Sequence, residues 1–177
     1  QKAGAVPPGS VYFRRVFNVP DPERGQVEIT CDDGFKLYVN GREVGGDADD
    51  WRTMKIYDVQ KYLTKGRNVV AVRAENLQGN HAGLVARVTV KRRGNTDVSY
   101  STDDEWRVST EEIAGWEQRG FKDGDWDKAV VLGELGTTEP WLDQVTHPGG
   151  NSGRFKTAPN FAVERIVPPQ DTGGIIA

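Results

Sequence analysis

The chain has 177 residues, including 21 glycines and 9 prolines, and a formal net charge of −3. Its charges of both signs are interleaved, which excludes a basic stripe for nucleic-acid phosphates and a cationic face for lipid headgroups. No run approaches the roughly 20 apolar residues of a membrane span, and no apolar secretion signal opens the sequence. We therefore expect one domain of many short elements joined by turns, with no nucleic-acid partner and no membrane partner.

The first two predicted strands cover residues 11–19 and 26–30 and are separated by a turn rich in proline and glycine. In the second strand Val27 and Ile29 alternate with polar residues, and Cys31 continues on the same face. A single cysteine makes no internal disulfide, and a nucleophile needs a neighbouring base. We interpret Cys31 as a small core residue.

A hairpin follows the second strand. Phe35, Leu37 and Val39 alternate with polar residues, so they share one face of a strand, and Asn40-Gly41 tolerates the positive φ of a tight turn. The pattern predicts a half-buried antiparallel sheet. Such a sheet must cover its apolar face, and this composition favours a second sheet, which gives an all-β antiparallel sandwich.

The next predicted elements run from residue 54 to residue 90. Residues 54–57 form a short strand, and Asp58 is placed to cap a helical turn over 59–63. Residues 68–75 are almost continuously apolar, which predicts a central strand covered on both faces. Alternation resumes over residues 84–90, and we expect these two strands to pair.

Beyond residue 94 the strands become shorter and tryptophans become more frequent. Trp106 and Trp126 fall within apolar alternation and are predicted core residues. The composition shifts again near residue 149, towards glycine and proline. We therefore expect a domain over residues 1–148 and, over residues 149–177, a linker or tail that leads to a missing downstream domain.

Turn, cap and core positions carry a family resemblance: Asp32-Asp33-Gly34-Phe35, Asn40-Gly41, Tyr57-Asp58-Val59, Leu63, Gly66, Asn68-Val69-Val70-Ala71-Val72 and Asn76. Over residues 11–92 this pattern resembles the galactose-binding-like jelly-roll domains found as accessory modules in family 2 glycoside hydrolases and bacterial α-L-rhamnosidases. Residues 116–129 are similar to the segment that completes such domains. Some of these domains bind sugar and others only pack against a catalytic domain. Residues 159–166 more distantly resemble the lead-in to β-propeller domains of secreted planctomycete-type proteins that carry haem domains.

Strand polarity predicts that four connections meet at one end of the sandwich: residues 32–34, 45–53, 76–83 and 102–105. A sugar presents apolar C–H patches beside hydroxyls, so it binds an aromatic platform with polar groups at its edge. Trp51 is the predicted platform. The predicted polar ligands at its edge are Asp49, Asp50, Arg52, Asn76, Gln78, Asn80 and His81. The alternative is that Trp51 is a lid on the core and the aspartates bond only to loop amides.

Asp47, Asp49 and Asp50 are candidate ligands for a structural calcium ion, which prefers hard oxygen donors. The two histidines, His81 and His147, lack the partners of a zinc or copper site. The glutamates near Trp116 lie in one short segment and do not face each other across a cleft, as a glycosidase requires. We expect no other cofactor and no catalytic residues.

The sequence thus predicts a non-catalytic carbohydrate-binding module that binds a polysaccharide or oligosaccharide through loops at one end of the sandwich. We expect it to belong to a larger secreted or periplasmic protein whose signal peptide is absent from this sequence. The alternative is a structural domain with no small ligand, which packs on a downstream domain of the same chain. An enzyme is a third alternative, if distant segments assemble a catalytic pair.

Overall fold

The computed structural model describes residues 7–77, 82–94, 96–133, 135, 141 and 144–148, together with the backbone of residues 134 and 162–165. In this part of the chain twelve strands and one short 3₁₀ turn are present. They are β1 (Gly9–Val19), β2 (Pro22–Asp32), β3 (Gly34–Val39), β4 (Arg42–Asp47), β5 (Lys55–Asp58), the 3₁₀ turn (Gln60–Tyr62), β6 (Gly66–Asn76), β7 (Gly83–Arg92), β8 (Val98–Ser101), β9 (Arg107–Ser109), β10 (Asp127–Lys128), β11 (Val130–Glu134) and β12 (Ala162–Arg165). Among the described residues, no helix is long and apolar enough to cross a bilayer.

The strands form two sheets that pack face to face. Sheet A has the order β10-β9-β1-β6-β3-β4, and sheet B has the order β11-β12-β7-β2-β5 with β8 paired to β7. Neighbouring strands of both sheets run antiparallel. The predicted all-β jelly-roll sandwich is confirmed.

The β3–β4 hairpin has the predicted geometry. Phe35, Leu37 and Val39 are buried in the core between the sheets. The turn places Asn40 at φ 53° and Gly41 at φ 83°, the left-handed region that these two residue types tolerate. The Asn40 side chain also accepts a hydrogen bond from the backbone N–H of Val69, which ties the turn to β6.

The predicted pairing of β6 with β7 is wrong. β6 lies between β1 and β3 in sheet A, and it pairs with β1 over eleven residues from Gly9↔Asn76 to Val19↔Gly66. β7 pairs with β2 in sheet B. The chain therefore crosses between sheets after β6. Periodicity within a strand shows which side chains face the core, but it carries no local signal that separates a hairpin from a crossover.

Apolar side chains form one main core and two smaller clusters on the outer sheet faces. Trp106 lies in the main core between the sheets, and Cys31 is buried there as predicted. Outer cluster A, on the outside of sheet A, contains Tyr12, Ala71, Trp116 and Trp126. Outer cluster B, on the outside of sheet B, contains Met54, Val85, Leu135 and Trp141, with Trp51, Leu132 and Val145 packed against it. Trp126 is therefore buried as predicted, but outside the main core.

The remaining sequence expectations concern the 3₁₀ turn and the tail. The Asp58 carboxylate accepts a hydrogen bond from the backbone N–H of Gln60 at 2.9 Å, but the N-cap position is Val59 and the turn covers only Gln60–Tyr62. β12 lies within the range expected to be a linker, where its backbone pairs with β11 and β7. The boundary at residue 148 stays a prediction.

Candidate functional site

Residues 32–34, residues 47–54 and the start of the connection after β6 meet at one end of the sandwich, here called the loop end. Gly34, the first residue of β3, packs closely against residue 47. A Cβ atom added to Gly34 would lie only 3.0 Å from the carbonyl oxygen of Asp47. On the other side, the Asp33 carboxylate accepts a hydrogen bond from the Leu77 N–H at 2.6 Å. The loop end therefore comprises residues 32–34, residues 47–54 and the start of the connection after β6.

The fourth connection lies elsewhere, and this part of the prediction is wrong. β8 ends with Ser101 opposite Arg87, in the middle of β7, and the chain then crosses to sheet A. There Arg15, halfway along β1, forms an ion pair with Asp103 at 3.5 Å. Residues 102–105 thus close the side of the sandwich at mid-height, because β8 is too short to reach the loop end.

Trp51 is half-buried at the loop end and is attached to outer cluster B. Its ring meets Trp141 edge to face at a centroid distance of 5.4 Å. Its carbonyl oxygen accepts a hydrogen bond from the Thr30 hydroxyl at 2.6 Å. The guanidinium carbon of Arg52 lies 4.4 Å from the Trp51 ring centroid, so the cation covers part of the indole. These contacts support the lid interpretation of Trp51, and an incoming sugar would have to displace Arg52 from that ring.

Asp32 and Asp33 place two consecutive carboxylates at the loop end, joined by a cis peptide bond. Asp32 ends β2 and is only 5% exposed. Burial, followed by the charge and the hydrogen bond of Asp33, raises the pKa of Asp32 to about 7, and the charge of Arg52 opposes this rise. Asp32 is therefore only partly ionised at neutral pH, and a cation beside the pair would be stabilised.

Two of the three predicted calcium ligands, Asp47 and Asp50, already bond to other protein groups. One oxygen of Asp47 pairs with Lys55 at 3.2 Å and the other accepts from the Asp50 N–H. Asp50 accepts from the Arg52 N–H at 3.0 Å, and a hydrogen bond from Thr53 leads the causes that lower the Asp50 pKa. Asp49 is exposed.

A metal site built from side chains alone is not assembled in the described part of the chain, where no group of three or more His, Cys, Asp or Glu side chains converges. Calcium also accepts backbone carbonyl oxygens. With such oxygens the Asp32–Asp33 pair is a second candidate, because it places two consecutive carboxylates at the loop end.

The other predicted ligand residues fall in two groups. Asn76 is buried, and its amide donates to the carbonyl oxygen of Pro7 at 3.1 Å, so it holds the segment before β1. Gln78, Asn80 and His81 lie outside the described residues.

Sequence reasoning missed Gln144 as a neighbour of the site. Its side-chain oxygen accepts a hydrogen bond from Arg52 Nε at 3.3 Å. The two residues are 92 positions apart, so no local signal links them. Asp32 and Asp33 had a detectable signal, because two consecutive carboxylates end a strongly alternating strand.

No protein-family model matches the sequence, and no curated protein matches it, but solved structures do. The Streptomyces avermitilis α-L-rhamnosidase complexed with L-rhamnose superposes with a TM-score of 0.72 and 27% identity, over 77% of this chain and 14% of that chain. The apo lectin of Pleurotus ostreatus superposes with a TM-score of 0.74 and 27% identity, over 81% and 42% of the two chains. The same lectin in complex with GalNAc, at 22% identity and a TM-score of 0.71, shares the fold.

This chain therefore spans 14% and 42% of the length of the first two solved chains. The shared part is the β-sandwich fold. The chain is a galactose-binding-like β-sandwich domain.

Proposed function

We propose that this domain is a non-catalytic carbohydrate-binding module that binds glycan at the loop end. The observation that carries the proposal is that the loop end gathers two consecutive carboxylates, Asp32 and Asp33, and an Arg52 guanidinium held 4.4 Å from the Trp51 ring centroid. The fold is shared with a lectin solved with GalNAc and with a rhamnosidase solved with L-rhamnose, which supports a sugar as the ligand.

The chemistry of these groups suits a sugar. Carboxylate oxygens accept hydrogen bonds from sugar hydroxyls, and the Arg52 guanidinium donates to them. Leu77, 56% exposed and next to Asp33, offers an apolar contact for a C–H face. The same proposal includes ligand roles for the residues predicted from the sequence, which are Trp51, Asp49, Asp50, Asn76, Gln78, Asn80 and His81. Trp51 acts by supporting Arg52, whose guanidinium lies over its ring.

The test is affinity electrophoresis in gels that contain soluble polysaccharides, followed by calorimetric titration with L-rhamnose and N-acetylgalactosamine. We expect Arg52→Ala and Asp33→Asn each to weaken binding about tenfold, or about 1.4 kcal/mol, because each removes one charged hydrogen-bonding group. Asp33→Asn keeps an oxygen for the Leu77 N–H, so the loop is retained. Both variants should melt within a few degrees of the parent protein.

Asp58→Asn is the matched control, since this carboxylate also caps a backbone N–H but lies away from the loop end. Its affinity should equal that of the parent protein. Equal affinities for all four proteins would contradict the assignment of the site. Failure of every probe to bind would contradict the carbohydrate proposal itself.

A structural docking domain is the second candidate function. It is favoured by β11, where Val130 is 55% exposed and Val131 is 45% exposed on neighbouring positions of one strand. An exposed apolar strand is typical of a surface that packs on another domain. In that case no glycan would retard the protein, and polar substitutions at these valines would leave the domain stable and soluble when alone.

The setting of the domain is part of the proposal. The small share of the rhamnosidase and lectin chains that it spans favours a module of a larger protein, and we propose that this protein is secreted or periplasmic. The proposal also includes a calcium ion at the loop end. It would neutralise the carboxylates of Asp32 and Asp33 and orient them towards the hydroxyls of the sugar.

A further inference from the structure

Residues 144–148, here called the strap, run across the outside of sheet B and contact the loop end at one end and a partly buried ion pair at the other. We infer that His147 is a positioning residue for Arg52: it anchors the strap to sheet B, and the strap fixes the orientation of the Arg52 guanidinium. The inference rests on the proposed function of the loop end and names a residue outside the predicted ligand set.

The anchor is a cluster of charged side chains on the outer face of sheet B. Glu28 on β2 and Arg87 on β7 are directly opposite each other, and Arg87 Nε donates to one carboxylate oxygen of Glu28 at 2.6 Å. The other oxygen lies 3.2 Å from His147 Nε2. Glu28 is only 7% exposed, and Gln26 Nε2 also donates to that oxygen at 3.3 Å, so His147 is the partner there that comes from the strap.

The middle of the strap is bonded to the backbone of the loop end. The Thr146 N–H donates to the carbonyl oxygen of Arg52 at 2.7 Å, and the Thr146 carbonyl accepts from the Met54 N–H at 2.9 Å. Thr53 and Thr146 thereby form an isolated parallel bridge. The backbone on both sides of Thr53 is held by a residue adjacent to His147.

The far end of the strap holds the side chain of Arg52. Gln144 accepts a hydrogen bond from Arg52 Nε at 3.3 Å, while the guanidinium lies over Trp51. Val145 packs against outer cluster B, which includes Trp141. Arg52 is thus oriented by the strap at its backbone and at its side chain. Without the contact between His147 and Glu28, the strap would hold the backbone and the side chain of Arg52 less firmly.

The first experiment needs no glycan. In ¹⁵N-resolved NMR spectra of the 177-residue chain, we expect His147→Ala to shift the Arg52 Nε–H signal, the Trp51 indole signal and the Thr146 amide signal. His147→Gln retains a side-chain donor for Glu28, so its spectrum should stay close to that of the parent protein. Lys91→Ala, on the same sheet face and away from the strap, is the control. An unchanged Arg52 signal in folded His147→Ala would overturn the inference.

The second experiment measures the coupling in glycan affinity with a double-mutant cycle. We expect His147→Ala to weaken binding about threefold to tenfold in the parent protein and to have no effect in the Arg52→Ala background. Equal losses in both backgrounds would mean that His147 does not act through Arg52, and would overturn the inference. If no probe binds, the proposed function fails, while the NMR experiment still decides whether the strap orients Arg52.

Discussion

At the scale of single residues, Asp32 is the most perturbed group of the loop end. It ends a strand whose alternation sends its side chain to the face opposite Cys31, and the next residue is a second carboxylate. Because Asp32 is buried and next to Asp33, its pKa rises from 3.8 to about 7. Folding therefore disfavours the ionised form of Asp32. A bound cation or a hydroxyl donor beside it would stabilise that form.

This shift makes stability depend on pH. The folded state binds the Asp32 proton more tightly than the unfolded state, so its contribution to stability is present below about pH 4 and is lost as pH rises towards 7. We expect Asp32→Asn to flatten this part of the pH profile and to gain stability relative to the parent protein, by about 1–4 kcal/mol at pH 8. Urea unfolding at pH 4, 6 and 8 measures the effect.

The matched control for this profile is Asp104→Asn, at an exposed carboxylate that pairs with Lys128. Asp103 also has a raised pKa, mainly from burial, so the comparison between variants is more informative than the profile of the parent protein. A difference between Asp32→Asn and the parent protein that is the same at all three pH values would contradict the assigned shift.

At the scale of elements, residues 110–126 act as a cover for the outer face of sheet A. Trp116 contacts Tyr12 edge to face at 5.0 Å, and Tyr12 donates to Glu112 at 3.1 Å. Beneath the cover Arg14 is fully buried, which lowers its pKa against the opposing influence of Asp123. Arg14 Nε donates to Asp123 at 2.9 Å, so the cover is attached to β1 by an ion pair.

Removing one partner of this pair should be costly. We expect Asp123→Ala to reduce the free energy of unfolding by about 3 kcal/mol, because it leaves the buried Arg14 guanidinium without its carboxylate. The double variant Arg14→Met with Asp123→Ala should recover part of that loss, since the buried charge is gone. Urea unfolding of the parent protein and the two variants tests this expectation, and a double variant less stable than Asp123→Ala would contradict it.

At the scale of the whole molecule, the sandwich carries an apolar cluster on the outside of each sheet, and each cluster holds loop segments against that sheet. Outer cluster B holds Trp51 and the strap against sheet B, and the loop end lies beside it. Any ion or sugar that binds the loop end stabilises the entire fold by mass action, because the site exists only in the folded state.

Calcium binding is therefore measurable as a change in the melting temperature. At a concentration of about 100 times its dissociation constant, calcium would add about 2.7 kcal/mol, which raises the Tm of a domain of this size by about 5–10 °C over an EDTA sample. We expect Asp33→Asn to remove this shift. Loss of the shift in Asp49→Asn instead would assign the ion to the predicted loop triad, and no shift in the parent protein would contradict the calcium proposal.

Local patterns in the sequence determined the strands, the β3–β4 turn and the inward position of Cys31, because alternation and turn chemistry act between neighbouring residues. They also predicted that residues 32–34 and 45–53 lie with the connection after β6 at one end of the sandwich. Only the tertiary structure decided that β6 and β7 lie in different sheets, that residues 102–105 close the side of the sandwich, and that the strap holds Arg52. Those contacts join residues far apart in sequence, such as Arg52 and Gln144, and their energies arise from packing and long-range hydrogen bonds that no local pattern encodes.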